Sequence, residues 1–271
     1  KAEWYNPSGS VKDRPVLSIL RDAEERGLLT EDKTVLDATS GNAGASYAML
    51  GSVLGYEVCL TTPRNASEER IAMMKAFGAE VVFTSALEGS DGAILKAQEI
   101  HRGNPDRYFY GDQYSNEANW RAHYETTGEE IIQQMNGELT YFVAGLGTGG
   151  TFVGVGRRLR EHDSGIRLVA VEPDSGFHGI EGLKHMESSL KPSIYDPSLA
   201  DDVLRVSTEE AQGMIKKLAR EEGLLVGVSS GAALAAALRV AETLDEGRVV
   251  TVFPDAGSRF LPDRFWGDRA R

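Results

Sequence analysis

The sequence predicts an α/β protein of two lobes, each a mainly parallel twisted sheet flanked by helices. Three observations predict it. Apolar runs of four to seven residues alternate with stretches of helical period from end to end, the pattern of successive βα units. Small-residue turns rich in Gly, Ser and Thr follow several of those runs and open the next helix. A chain of 271 residues, 41% of them hydrophobic, can fill one large core or two ordinary ones. Two βα series of similar size flank "GDQYSNEA", so a division near residues 112–119 is expected.

In chain order, a first helix is expected over Val11–Gly27, where apolar residues recur at helical spacing behind "NPSGS". The β-branched run "TVLDAT" (34–39) reads as a strand that closes on a Gly/Ser turn and opens a helix over Asn42–Leu54. Strand "EVCLTT" (57–62), helix Ala66–Phe77, strand "EVVFTS" (80–85), helix Ala93–Arg102 and strand "RYFYG" (107–111) complete the first series. The second opens with a helix over Trp120–Asn136, then "TYFVAGL" (140–146), a helix over Gly149–His162 and "RLVAVEP" (167–173). Helices over Thr208–Glu222 and Ser230–Leu244 and the strand "RVVTVFPD" (248–255) end it. Between them Asp174–Asp202, rich in Gly, Ser, Pro and His, is the longest irregular stretch. Loops of that length inside a compact chain are usually functional.

Charge and composition exclude several classes of partner. With 41 Asp+Glu against 29 Lys+Arg and a net charge of -12, the chain offers no basic footprint, and nucleic acid is not expected to bind. No apolar run approaches the ~20 residues of a membrane span, so no membrane association is expected. Cys59 is the single cysteine and forms no internal disulfide, which suits a reducing, cytoplasmic setting. It reads as a small buried hydrophobe rather than a catalytic thiol. No metal site is expected. The opening residues "KAEWYNPSG" contain no signal-peptide apolar core and no initiating Met, so a preceding segment is expected to be missing.

Three stretches fall where helix N-termini meet the carboxyl ends of parallel strands, the edge at which ligands gather. In "AGLGTGGTF" (144–152), Gly147, Thr148, Gly149, Gly150 and Thr151 let backbone amides and hydroxyls approach a phosphate closely. The stretch matches neither the dinucleotide G-x-G-x-x-G pattern, because Thr151 stands at its last Gly, nor a P-loop. In "DATSGNAGAS" (37–46), Thr39, Ser40 and Asn42 surround Gly41. They serve equally well as helix caps or as a nest for a carboxylate. In "NPSGSVKDRP" (6–15), Lys12 stands in the first turn of a helix, where the macrodipole disfavours a cation. Alone, Lys12 is better read as exposed and partnered by Asp13 or solvent. Counted together, a lysine able to act as nucleophile and base, a single-phosphate cradle and a carboxylate nest are the fixed contacts of pyridoxal phosphate chemistry.

"NPSGSVKDR", "TSGNAG", "DQYSNEANWRAHYETTG", "GLGTGGT" and "GLLVGVSSGAAL" stand in the order and at about the spacing of their counterparts in the cysteine synthase and cystathionine β-synthase family. The chain resembles these fold type II pyridoxal-phosphate enzymes over essentially its whole length. The resemblance implies pyridoxal 5'-phosphate in a cleft between a smaller, mobile domain at residues 10–117 and a larger, phosphate-binding one at residues 1–9 and 118–271. It implies that Lys12 is the Schiff-base lysine and the catalytic residue, and that Asn42 bonds the cofactor's ring hydroxyl. Thr39, Ser40, Gly41, Asn42, Gln113 and Gly182 would hold the amino-acid substrate, and Gly147, Thr148, Gly149, Gly150 and Thr151 the cofactor phosphate. Ser229 would face the pyridine nitrogen; a neutral hydroxyl there enforces no protonated ring, which favours β-elimination over transamination.

The implied reaction replaces the β-substituent of O-acetylserine or O-phosphoserine with sulfide or a thiol, making L-cysteine. The alternative within the family condenses serine with homocysteine, and a remote alternative is a non-catalytic binding relative. A dehydratase is disfavoured because Val11, not Phe, precedes the lysine. A homodimer is implied, as is serine acetyltransferase or a sulfur-carrier protein as partner. Two departures stand out. Ala43 replaces the last threonine of the usual nest, and "GIEGLKHMESSLKP" (179–192) carries a Lys184-His185 pair. That pair would suit a more negative donor such as O-phosphoserine, but reads first as solvated loop residues.

Overall fold

The computed structural model describes residues 1–261 and 264–266. The chain divides into two units, Lys12–Arg121 and Lys1–Val11 together with Ala122–Arg271. Of the expected larger lobe, residues 262–263 and 267–271 lie outside the described residues.

In the unit Lys12–Arg121, strands β1 (Thr34–Ala38), β2 (Val58–Pro63), β3 (Glu80–Thr84) and β4 (Tyr108–Tyr110) pair in parallel in the order β3-β2-β1-β4. Leu36 of β1 faces Cys59 on one side and Tyr110 on the other. Helix α1 (Asp13–Glu25) precedes β1, and α2 (Asn42–Leu54), α3 (Glu68–Ala76) and α4 (Gly89–Gly103) connect the strands. Every residue of β1 and β2 is buried, as expected of parallel strands covered on both faces. Val16, Ile19, Leu20, Tyr47, Leu60 and Met74 pack in one cluster, and Leu36, Cys59, Ala93 and Ala97 in another. Each large apolar side chain so buried contributes roughly 1.5–3 kcal/mol. Ser67 caps α3 by accepting from the Arg70 N–H at 3.3 Å. Gly55 ends α2 at φ +84°, a left-handed position that suits glycine.

The second unit repeats the plan. Strands β5 (Tyr141–Gly145), β6 (Arg167–Pro173), β7 (Asp202–Val206) and β8 (Val249–Thr251) pair in parallel in the order β7-β6-β5-β8. The first unit ends with α5 (Glu117–Ala122), and the second opens with a π-helical stretch His123–Gly128 and α6 (Glu129–Gln134). Helices α7 (Gly150–His162), α8 (Thr208–Glu221) and α9 (Val228–Ala241) complete the unit. Val143, Val169, Val171, Ile215, Val226, Ala232 and Ala236 are in its core. Residues 1–11 belong here: Glu3 N–H donates to Phe253 at 3.0 Å, Phe253 N–H to Lys1 at 2.9 Å, and Val11 N–H to Pro254 at 2.8 Å.

Both sheets therefore reverse their strand order once, between β1 and β4 and between β5 and β8. Parallel strands put the carboxyl ends on one edge, and at such a reversal the two outgoing loops diverge and leave a crevice. The loops leaving β1 and β4 carry Thr39–Gly41 and Gln113; the loop leaving β5 carries Gly147–Gly149.

The structure corrects several element expectations. β7 is not among the expected strands, and only its first residue falls in the expected irregular stretch; its first four residues are exposed or half-buried, so no apolar run marks this edge strand. The helix expected over Trp120–Asn136 starts at Glu117 and passes through the π-helical stretch. Helix α4 begins four residues before the expected Ala93, and α9 begins at Val228, which puts Ser229 inside its first turn. Of the expected strand 248–255 only Val249–Thr251 is in the ladder; Phe253 pairs with Ala2 of the opening segment instead. Among the described residues, no helix is long and apolar enough to cross a membrane.

Candidate active site

At the first reversal, Thr39 and Gln113 come together because β1 and β4 are hydrogen-bonded neighbours. The buried Thr39 Oγ1 accepts from Gly41 N–H at 3.0 Å and from Gly44 N–H at 3.1 Å. The hydroxyl thus caps the turn into α2, and its own hydrogen has no acceptor among the described residues. Cap and donor are the same group. Ser40 is exposed, Gly41 is buried, and Asn42 is the first residue of α2. Gln113 is buried; its side-chain amide donates to Ala38 O at 2.8 Å, leaving a second amide hydrogen to present. Ala43 is buried and adds no hydroxyl.

Lys12 is the N-cap of α1, half-buried, and Val16 N–H donates to its carbonyl at 3.1 Å. The next residue, Asp13, accepts from Ser46 Oγ at 2.6 Å, and Ser46 Oγ lies 3.2 Å from Asn42 O. The Ser46–Asp13 bond fastens the start of α1, where Lys12 stands, to the first turns of α2, where Asn42 stands.

At the second reversal, the loop after β5 turns into α7 at Gly149, whose φ of +88° only glycine takes without strain. A Cβ on Gly147 would fall within 3.0 Å of the Gly182 carbonyl oxygen, so Gly182 walls this loop. The buried Thr148 Oγ1 accepts from Gly150 N–H at 3.3 Å. Thr151 Oγ1 lies 3.3 Å from Nε2 of His123, whose Nδ1 lies 2.9 Å from Thr127 Oγ1. His123 is fully buried and stands at the head of the π-helical stretch, a form often found at functional positions. Ser229 is buried in the first turn of α9, and the neighbouring Ser230 Oγ has no hydrogen-bond partner among the described residues.

Lys184 and His185 are 6% and 9% exposed, so they are not the solvated loop residues expected. Lys184 N–H donates to Leu146 O at 2.8 Å at the root of the Gly-rich loop, and His185 Nδ1 lies 2.8 Å from Ser188 Oγ. Burial pushes the Cys59 thiol up to about 11, which leaves it inert at neutral pH.

A side-chain-free, Thr-flanked turn at a helix N-terminus fits a phosphate monoester, and buried donors at the β1/β4 reversal fit an amino-acid carboxylate. Pyridoxal phosphate offers the first and takes a substrate that offers the second. A family model described as pyridoxal-phosphate dependent enzyme matches residues 1–255. The chain belongs to this family, within its fold type II members, and uses pyridoxal phosphate.

Its relatives narrow the class. A cysteine synthase of Aquifex aeolicus (strain VF5) is 50% identical over 273 residues, covering 99% of this chain and 84% of the relative. The crystal structure of O-ureido-L-serine synthase superposes with a TM-score of 0.93 at 36% identity, covering 100% of this chain and 88% of the other. O-acetyl serine sulfhydrylase isoform 3 from Entamoeba histolytica gives 0.91 at 34%, covering 100% and 83%.

Proposed function

We propose that this chain is a cysteine synthase that replaces the β-substituent of an O-acetyl or O-phospho ester of serine with sulfide. The observation that carries the reading is the identity of half the chain to a cysteine synthase, supported by a Gly/Thr turn suited to a phosphate at the strand-order reversal of one unit and by donors suited to a carboxylate at the reversal of the other. When bound, pyridoxal phosphate supplies the electron sink that acidifies the substrate's α-proton and lets the β-substituent leave.

The chain's own residues do the rest. Gly147–Thr151 hold the phosphate with amides and hydroxyls at the start of α7, and His123 sets the position of Thr151. Ser229, in the first turn of α9, presents a neutral hydroxyl to the ring nitrogen. Asn42 presents its amide to the ring's oxygen substituent. Thr39, Ser40, Gly41 and Gln113 bind the carboxylate and so orient the α-carbon, with Gly182 closing the wall beside the phosphate loop. Lys12 anchors the cofactor, accepts the α-proton and returns it, from a helix N-cap whose free N–H groups disfavour a second positive charge.

A direct assay compares sulfide plus O-acetylserine, sulfide plus O-phosphoserine, and serine plus homocysteine. Cysteine from either ester, lost in Lys12→Ala while that variant still binds the cofactor non-covalently, is the expected result. Cystathionine as the main product, or full activity of Lys12→Ala, would overturn it. The same reading carries a smaller, mobile domain at residues 10–117, a homodimer and a cytoplasmic setting. Hydrogen exchange, sedimentation and cell fractionation test these in turn.

A further inference from the structure

A carboxylate stands where the apolar pattern of β1 has no place for one. Asp37 lies between Leu36 and Ala38 with no exposed surface at all, and charged residues are almost never so buried unless their bonds are made inside. One of its oxygens accepts from Ala38 N–H at 2.7 Å, the other from Gln113 N–H at 3.3 Å. Gln113 answers by donating its side-chain amide to Ala38 O at 2.8 Å, and its own carbonyl accepts from Asn119 Nδ2 at 2.6 Å. The bonds from Gln113 to β1 thus all end on Asp37 or Ala38. The next residues of the chain are Thr39 and Ser40. Gly111 lacks the Cβ that would stand 3.1 Å from Asp37 Oδ2 and press on the Tyr47 hydroxyl, so the two segments meet without a spacer.

We propose that Asp37 is a positioning residue for the amino-acid substrate: by clamping the loop after β4 onto the end of β1, it sets the spacing between Thr39–Ser40 and Gln113 and hence the grip on the carboxylate. It acts through these groups and does not touch substrate. The proposal rests on the reading of that nest as the substrate carboxylate site. The Ala38 and Gln113 bonds come from backbone N–H groups, one on each oxygen, and the Tyr47 hydroxyl is a further donor to the same carboxyl, so the clamp needs two acceptor oxygens. An asparagine has the same shape but only one.

The groups that face Asp37 are Tyr47 from α2, Tyr110 from β4, and Asp112 and Tyr114 from the loop beyond. None brings a positive charge. Burial accordingly raises its pKa from 3.8 to about 7, and protonation there turns one acceptor into a donor. Grip on a carboxylate therefore weakens as pH falls through about 7.

The test uses the cofactor-loaded enzyme, with glycine as a non-reacting carboxylate probe and glycinamide as its carboxylate-free control, both followed by cofactor absorbance. Asp37→Asn is expected to weaken glycine about tenfold, the loss of one charge-assisted bond, while glycinamide binds both proteins alike. It should lower kcat/KM for the activated serine by the same factor and leave kcat/KM for sulfide unchanged. The ratio of wild-type to variant affinity for glycine should fall below pH 7, the titration of the glycine amine cancelling between the two proteins. Equal loss for glycine and glycinamide, or no loss for either, overturns the proposal. A wild type that responds to neither probe overturns the reading of the nest itself. Should Asp37→Asn fail to fold, amide exchange at Gln113 in the cofactor-free wild type decides. The clamp requires protection, corrected for intrinsic rate, to drop at least tenfold from pH 8 to 6, and constant protection refutes it.

Discussion

Substituting Gly147 with alanine tests the phosphate turn with the smallest perturbation available. A Cβ at this position would meet the Gly182 carbonyl oxygen inside 3.0 Å, where ordinary contact begins near 3.4 Å. Both sides are backbone, and neither can swing away as a long side chain would. The two segments must part by about 1 Å, an overpacking strain of roughly 1–3 kcal/mol. Such strain lowers Tm by about 2–4 °C per kcal/mol in a chain of this size. The larger effect falls on binding, because displacing a preorganised site by about 1 Å costs on the order of a hundredfold. The assay is a titration of cofactor-free protein with pyridoxal phosphate, beside thermal melts without it. Expected are a cofactor Kd raised about a hundredfold and a Tm lowered by several degrees. Unchanged affinity in a protein of unchanged Tm would refute the reasoning, since the turn would then accept a side chain at no cost.

Other outcomes follow from single groups. Asp37 has its pKa raised by burial from 3.8 to about 7; its contribution is fully present below the unfolded value and lost as pH rises through about 7. The stability of Asp37→Asn relative to wild type should therefore grow between pH 4 and 8, by up to about 4 kcal/mol, as measured by urea unfolding at each pH. Gly213 lies in α8 with open space where a Cβ would stand. Gly213→Ala should stabilise the chain by up to ~1 kcal/mol, and a lower melting temperature would contradict that assignment. Cys59, with its thiol raised to about 11, should resist an aromatic disulfide reagent at pH 8 and react once urea unfolds the chain.

What was legible in the sequence follows from what each element needs. Strands β1, β2 and β6, buried along nearly their whole length, require unbroken apolar runs and announced themselves. β7 is an edge strand with Asp202 and Arg205 in solvent-facing positions, and its pattern was that of a loop. The small-residue clusters at 37–46 and 144–152 could be read as helix starts, which they are, but by themselves they do not tell a cap from a ligand nest. Asp37 gave no signal of its own within "TVLDAT", since its partner Gln113 lies 76 residues away and meets it only when β4 pairs with β1. His123 was invisible for a similar reason: a 3.6-residue period has no signature for a π-helical stretch, and its link to Thr151 spans 28 residues.

The pairing of residues 1–11 with Phe253–Asp255 carries a consequence for the order of assembly. As the chain leaves the ribosome, Lys12–Arg121 has all its strands in hand once its last residue emerges, and can close its sheet early. The opening segment must wait, because Glu3 bonds to Phe253, 250 residues later. That contact closes one of the longest loops in the molecule, at the highest entropic cost and among the last in time. A nascent chain halted short of Phe253 would thus hold one finished unit, while residues 1–11 lack their partners at Phe253–Asp255. Limited proteolysis of stalled chains would see residues 1–11 vanish as a target in a single step once Phe253–Asp255 emerge.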